Sequence, residues 1–258
     1  MNNAIVTVPA MLPVTLAEVK EQLNFSSSAD DSLIQRCIAS ATRQAEQFTR
    51  RKFVKQTWDS YFYFWQDIFY MPFGRLQSVA SVKYTDTDGI TTTVSSSVYD
   101  VTLKNSNLLG SVSLAYNQDW VSTSTNLALT NPIAIQFTCG WYRGAEWAAN
   151  TAYSAGDYIE PTRANANGLA YICTVGGTTH ASDEPTWPGT INDTVSDGTV
   201  TWSAVGECVP DDISQAILIE TAGLYELRED DYITQGAVVV NMNRFRRNLW
   251  NYKIEEYC

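Results

Sequence analysis

The chain has 258 residues, 45% hydrophobic and 17% charged, so it is long enough to bury one large core or two smaller ones. Its formal net charge of −11 argues against a protein that coats nucleic acid, because neutralising phosphates requires clustered lysine and arginine. No stretch approaches the roughly 18 apolar residues of a membrane span, and the start lacks the basic region of a secretory signal, so we expect a soluble protein made in the cytoplasm with no membrane partner.

Helical patterns occupy the first part of the chain. Thr15 and Glu18 have the spacing of a capping box, which predicts a helix over 15–24. Asp30 or Asp31 caps a second helix over 31–52, where apolar residues recur every three or four positions. Its other face is basic, and it ends in cations that suit the carbonyl end of a helix dipole.

From Val54 the pattern changes to β-structure. An aromatic stretch is followed by a strand from Leu76 to Tyr84, an Asp88-Gly89 hairpin signal and weaker strands over 98–103, 112–116 and 133–139. Residues 54–140 are therefore expected to form an antiparallel β-region.

Residues 145–206 differ from the rest in composition. They are rich in Gly, Thr, Asp and Trp, show no helical period, and carry seven acidic side chains against Arg163 alone, a net charge of −6. We interpret them as a small all-β module.

The helical pattern returns after Pro210 and predicts a helix over 211–229 with acidic residues in its first turn. This helix is apolar almost all round, which indicates burial either at the centre of the fold or by a neighbouring subunit. We assign Leu218, Leu224 and Tyr225 to a subunit interface on this basis.

Set in order, these elements resemble phage head-tail connector proteins of the gp6-like type. The resemblance covers 13–140 and 207–253 and is carried by the segments 13–20, 30–34, 45–51, 71–79, 84–89, 210–213 and 248–253. It implies an α+β fold: a helical bundle with an antiparallel β-region. One adaptor domain would span 1–144 and 207–258, interrupted by the inserted module 145–206.

The resemblance also implies a function. Such adaptors form a homo-oligomeric ring, usually of twelve copies, below the portal protein at the virion neck, and contact tail, stopper or neck proteins on the other side. Genomic DNA passes through the ring without sequence-specific contact. The carboxyl tail is the usual portal-docking element, which here implies a portal-binding role for Arg244, Arg246, Arg247, Trp250 and Tyr252.

The inserted module resembles a chitin-binding-type carbohydrate module, through 151–153, 156–159, 169–173, 184–188 and 197–202. Exposed aromatic faces stack on sugars, and Trp147, Tyr153, Trp187 and Trp202 are the candidate glycan-binding residues. The competing interpretation, which we favour for most of them, is that a module this small needs its large aromatic residues as a core.

The sequence offers little chemistry. The one histidine, His180, lies in a Gly-Thr-rich loop, no metal or nucleotide motif is present, and we expect neither catalysis nor a cofactor or metal site. Two rival functions stay open: a surface glycan-binding protein, in which the module is the functional part, and a carbohydrate-active enzyme. The basic face of the second helix fits a docking surface or a solvated face equally well.

Overall fold

A computed structural model describes residues 2–103, 109–120, 126–226 and 245–254. It combines helices with several antiparallel sheets, so the α+β fold class is confirmed. Within these ranges, no helix is long and apolar enough to cross a membrane.

The described residues contain the helices α1 (Leu16–Gln22), α2 (Asp31–Thr49) and α3 (Asp211–Glu226). Residues 245–250 form a further helical segment. The predictions that α1 extends to residue 24 and α2 to residue 52 are both wrong, because each helix ends earlier. In α2 the reason is Arg50, which adopts a left-handed conformation (φ 57°, ψ 30°) and ends the helix. The last three residues predicted for α3, 227–229, lie outside the described residues.

Thr15 caps α1 as predicted, with the capping box complete. The Glu18 N–H donates to the Thr15 hydroxyl at 3.2 Å, and the Thr15 N–H donates to the Glu18 carboxylate at 2.6 Å. At α2 the N-cap is Asp30, whose side chain makes no capping bond and instead accepts a 2.6 Å bond from the Tyr225 hydroxyl. The cap thus ties the start of α2 to the end of α3.

Eight strands precede the module region: β1 (Asn2–Thr7), β2 (Gln56–Phe62), β3 (Ile68–Tyr70), β4 (Leu76–Thr85), β5 (Thr91–Thr93), β6 (Tyr99–Thr102), β7 (Ser111–Leu114) and β8 (Ile133–Cys139). Five of them form one antiparallel sheet in the order β1-β2-β8-β4-β5. The other three form a small sheet, β3-β7-β6, which packs over it. Strand β1 was not anticipated from the sequence.

Residues 145–207, which we call the β-unit, hold the strands β9 (Ala145–Glu146), β10 (Ala152–Tyr153), β11 (Tyr158–Glu160), β12 (Leu169–Val175), β13 (Gly177–Thr178), β14 (Thr194–Asp197) and β15 (Val200–Glu207). A five-stranded sheet runs β14-β15-β12-β11-β9, and β10 pairs with β13. Gly144 leads into this sheet, and a Cβ on it would lie 2.6 Å from the Ile159 backbone, so only glycine fits this crossing.

The described residues bury three separate apolar clusters. The first joins the helices, the second fills the space between the two sheets of the β-region, and the third lies inside the β-unit. The second and third clusters each draw their members from one part of the chain, whereas the helical cluster combines residues from 14–54 with Trp141, residues from 209–217, Phe245 and Leu249. The first and last parts of the chain therefore share a core.

Candidate functional site

The C-terminal segment, residues 245–254, packs against the chain's own helices. Phe245, Leu249 and Ile254 are buried, with Leu249 at 0% exposure, and the Ile254 N–H donates to the Thr49 carbonyl at 3.0 Å. Arg51 donates from its Nε to the carbonyl of Tyr252. This segment is thus part of the subunit core, and only its outward side chains are accessible to a partner.

The outward side chains of the segment form what we call the basic aromatic patch, centred on Phe48 of α2. The Trp250 ring lies 6.3 Å from the Phe48 ring and is 58% exposed. The Arg246 guanidinium lies 6.0 Å from the Phe48 centroid, and the Lys253 ammonium lies 5.2 Å from that of Trp250. Arginine and tryptophan are the residues most enriched at binding hot spots.

The predicted portal-binding residues differ in their exposure to solvent. Arg246, Arg247 and Trp250 are exposed. Tyr252 is half-buried, with its ring 6.1 Å from Trp141, so it serves packing inside the subunit. Arg244 lies outside the described residues.

The basic face predicted for α2 is present. Arg36, Arg43 and Arg50 are exposed, and their seven-residue spacing places them along one side of the helix. Because this helix also carries Phe48, cationic side chains extend from the basic aromatic patch along α2.

Helix α3 buries one side and leaves the other partly open. Ile213, Ala216 and Ile217 are at 0% exposure, whereas Leu218 and Leu224 are half-buried at the edge of the helical cluster. An aliphatic side chain in that position retains apolar surface that a neighbouring subunit can cover.

Tyr225, grouped with these leucines by the sequence, makes defined contacts within its own subunit. Its ring lies 6.1 Å from Phe25, and its hydroxyl donates to Asp30. These contacts give Tyr225 a structural role in joining α2 and α3.

Arg143 connects α1 to the β-unit. Its guanidinium donates to Glu160 of β11 at 2.8 Å and to both carboxylate oxygens of Glu18 at 2.9 Å, and its side chain is only 11% exposed. Burial alone would raise the pKa of Glu18, but the charge of Arg143 and the bonds with Thr15 lower it. For Glu160, burial prevails and raises the pKa.

A second arginine cluster lies where the β-unit, the β-region and the C-terminal segment meet. Arg51 and Arg75 both approach the Trp141 ring, with guanidinium carbons 5.9 and 5.3 Å from its centroid. Arg75 pairs with Glu207 at 2.8 Å. Burial and then the charge of Arg75 lower the pKa of Arg51 to about 10. A cavity of about 300 Å³ adjoins these residues.

The four candidate glycan-binding residues are corrected by the structure. Trp202 is at 0% exposure, Trp147 and Trp187 are below 10%, and Tyr153 packs edge-on against Trp202 with centroids 5.1 Å apart. The indole N–H groups of Trp147 and Trp202 both donate to Asp197, at 2.7 and 3.1 Å. Burial covers the rings of Trp147, Trp187 and Trp202, which form the core of the β-unit, and the half-buried Tyr153 packs against that core.

His180 organises a loop. Its Nδ1 accepts bonds from the N–H groups of Ser182, at 3.4 Å, and Asp183, at 3.0 Å. Its side chain is half-exposed, in line with the loop position expected from the sequence. Among the described residues, no group of three or more His, Cys, Asp or Glu side chains is placed to hold a metal ion.

Sequence reasoning missed β1 and the role of Arg143. Ala4 to Val8 is a run rich in β-branched residues, a strand signal that we considered only as a failed secretory signal. Arg143 stands alone between Gly140 and Gly144, and nothing local indicates that two carboxylates from distant parts of the chain meet there.

Comparison with known proteins bears on both fold and family. Residues 13–124 match the family model described as phage gp6-like head-tail connector protein. Comparison with curated proteins gives no match.

Among solved structures, the fold is similar to a chain in the neck of an empty gene transfer agent (GTA) particle computed with C6 symmetry (TM-score 0.59, 13% identity). It is also similar to chains in the virion of the native particle (0.57, 14%) and in the native neck computed with C12 symmetry (0.56, 14%). Each match covers 100% of this chain and 98% of the other. At these identities the similarity is one of fold.

The family match covers residues 13–124, which hold α1, α2 and the strands β2 to β7, and it is a match to phage gp6-like head-tail connector proteins. The chain as a whole has the fold of chains found in the neck and virion of the gene transfer agent particle.

Proposed function

We propose that this protein is the head-to-tail adaptor of its particle: copies form a ring at the virion neck, below the portal, and present a platform to the next tail or stopper protein. The observation that carries this proposal is the head-tail connector match over 13–124, in a chain whose whole length has the fold of a chain from a particle neck. Its role is geometric: it joins two rings and performs no chemistry.

The portal-docking surface is the basic aromatic patch, with Arg246, Arg247 and Trp250 as its contact residues. Their cationic groups suit an acidic portal face, and Trp250 supplies an aromatic anchor. The exposed arginines of α2 extend the same charge along the subunit. Buried Phe245 and Leu249 hold the patch in position, so docking requires no ordering of this segment.

A closed head-to-tail ring, of which twelve copies is the expected number, needs two different contact surfaces on each subunit. Leu218 and Leu224 on the open side of α3 supply apolar area for one of them. Since their neighbours Ile213 and Ile217 fill the subunit core, α3 can serve both the fold and the ring.

We propose in addition that 145–206 is a module inserted into the adaptor domain formed by 1–144 and 207–258. Its core is separate from the other two clusters. Its contacts with the rest include the Arg143 bonds, a bidentate pair between Arg163 and Asp211 at 2.6 and 3.0 Å, and the contact of Lys55 with Tyr158 at 3.3 Å. The rings of Tyr142 and Tyr158 also meet, with centroids 5.7 Å apart. A separate core with contacts of this kind suits an added module, since its removal leaves the other cores intact.

The net charge of −11 suits the passage of DNA through a ring. Like charge disfavours adhesion to the phosphate backbone, whereas a strongly basic channel would hold it. On this proposal the ring makes no sequence-specific contact with the DNA that passes.

The direct test is to locate the chain in the particle. Ser182 and Asp183 lie in an exposed loop of the β-unit, where a short epitope tag can be inserted. Antibody-labelled particles should show label at the neck by negative-stain electron microscopy. Label on the tail tip or fibres would instead support a surface glycan-binding role, and untagged particles serve as the control.

A further inference from the structure

Strand β1 is bound to the molecule along one side only. Among the described residues it pairs with β2 alone, and five of its six residues are exposed. Ile5 is 44% and Val6 49% exposed, and Val8 just beyond the strand is 67% exposed. An edge strand with this much uncovered aliphatic surface is a template for pairing with another chain.

The usual protections of an edge strand are weak in β1. Asn2–Thr7 contains neither a charged residue nor a proline, and its bulge falls between Ile5 and Thr7, so the pairing of Asn2 to Ile5 is regular. The opposite edge of the same sheet is β5, whose three threonines are all exposed. The sheet therefore carries two different open edges.

The two edges have compatible directions. Each of the four pairings from β1 through β2, β8 and β4 to β5 is antiparallel, so β1 and β5 run the same way. In a twelve-membered ring, neighbours are related by a rotation of about 30°, which nearly preserves strand direction. The β1 of one subunit would then meet the β5 of the next as a parallel pair, and the same contact would repeat around the ring.

We propose that the occupant of the β1 edge is β5 of a second copy of this chain, so that the five-stranded sheets of neighbouring subunits join into one continuous sheet around the ring. This inference rests on the proposed function, because it requires a closed ring. A second copy fits better than an unrelated chain. Both open edges lie on this one sheet, and their strands run in the same direction. The two edges also supply the two unlike surfaces that a ring needs.

The register of the sheet identifies positions on its two edge strands that lie on the same face. Thr93 pairs with Lys83, Lys83 with Ala134, Ala134 with Tyr61, and Tyr61 with Asn2. Side chains directly opposite each other share a face, and residues two apart on a strand share it too, so Ala4 and Thr93 lie on the same face of the sheet. Within one subunit these positions stand about 19 Å apart across four strand spacings. A disulfide needs Cα atoms within about 7 Å, so a bond between them can form only between copies.

The test is a double variant, Ala4→Cys with Thr93→Cys, in a chain with Cys258→Ser and incorporated into particles. Both native positions are exposed in the subunit, so the fold is not at risk. Native thiols give little background: Cys37, Cys139 and Cys173 are buried, and burial raises the pKa of Cys208 to about 12. After mild oxidation, isolated necks should give a ladder of covalent oligomers on a non-reducing gel, at least 10-fold above either single variant.

The matched control pairs Ile5→Cys with Thr93→Cys, which places the two thiols on opposite faces and should cross-link far less. Necks that contain the Ala4→Cys, Thr93→Cys variant but yield only monomer would overturn the edge pairing while leaving the adaptor function intact. Necks that lack the wild-type chain altogether would overturn the proposed function, and the pairing with it.

Discussion

The backbone of Tyr142 is hydrogen-bonded to that of Glu207: the Tyr142 N–H donates to the Glu207 carbonyl at 3.1 Å. Tyr142 lies just before the β-unit, and Glu207 is the last residue of the β-unit. A second backbone bond joins the same two segments: the Val209 N–H donates to the Tyr142 carbonyl at 3.2 Å. The chain segments that flank residues 145–206 are thus joined to each other by backbone hydrogen bonds.

Deleting 145–206 and joining Gly144 directly to Glu207 should therefore leave a folded protein. The deletion removes a separate core, the polar contacts of the β-unit and the ring contact of Tyr158 with Tyr142, but no part of the other two clusters. Circular dichroism should show one cooperative thermal transition with the helical signal retained. A deletion of equal length displaced to 155–216 cuts into α3 and should not fold; equal failure of both would contradict the insertion.

Trp187→Ala should destabilise the β-unit by about 3–5 kcal/mol, because it empties a large core site. The ring lies 4.4 Å from that of Tyr171, and its indole N–H donates to Glu184 at 2.6 Å. Denaturant unfolding of the β-unit, followed by tryptophan fluorescence, measures the loss. A variant that unfolds normally yet fails to bind a polysaccharide bound by the wild type would instead restore the glycan-binding interpretation.

Glu18→Gln should reduce the sensitivity of the fold to acid. The folded pKa of Glu18 lies below its ordinary value of 4.5, so its carboxylate stabilises the fold above that pH. That contribution is lost as the pH falls from 4.5 through the folded pKa. Glutamine retains the capping box but not the charge.

The measurement is the free energy of unfolding between pH 3 and pH 7 for both proteins. The gap between wild type and Glu18→Gln should be widest near neutrality and close toward pH 3. Glu160 works in the opposite sense, since a raised pKa favours the fold at low pH, and Glu160→Gln is the matched control. A gap that does not change with pH would exclude the charge of Glu18 as its cause.

Trp250→Ala should abolish co-purification with the portal protein while the subunit stays folded, because the ring is 58% exposed. Leu249→Ala, one residue earlier and fully buried, should cost about 2–5 kcal/mol of stability instead. Point variants are preferable to truncating this segment, since truncation also removes buried Phe245 and Ile254. Unchanged portal binding by Trp250→Ala would remove the residue from the docking surface.

Leu218→Asp and Ile217→Asp should separate ring formation from folding. Ile217 is at 0% exposure, so a carboxylate there should cost about 4 kcal/mol or more and unfold the subunit. Leu218 is half-buried at the open side of α3, and its variant should stay folded but fail to complete a neck. Circular dichroism measures folding, and incorporation into particles measures ring formation. If both variants unfold, α3 is solely a core helix.

The sequence by itself determined the elements whose signals are local. The capping box of Thr15 and Glu18, the periodic pattern of α2, the Asp88-Gly89 hairpin and the abrupt start of α3 each depend on neighbours a few residues away. The order of those elements was enough to indicate the head-tail connector type. Strand β1 also has a local signal, the β-branched run from Ala4 to Val8, but its pairing with β2, about fifty residues later, depends on the tertiary structure.

Only the tertiary structure decided which side chains are accessible, because burial depends on residues that are distant in the sequence. It buried the three tryptophans Trp147, Trp187 and Trp202 in the core of the β-unit, gave Tyr225 contacts within its own subunit, and left Trp250 exposed beside the buried Leu249. Arg143 is an example. Its partners, Glu18 and Glu160, lie 125 and 17 residues away along the chain, and they meet only when the helices and the β-unit are packed together.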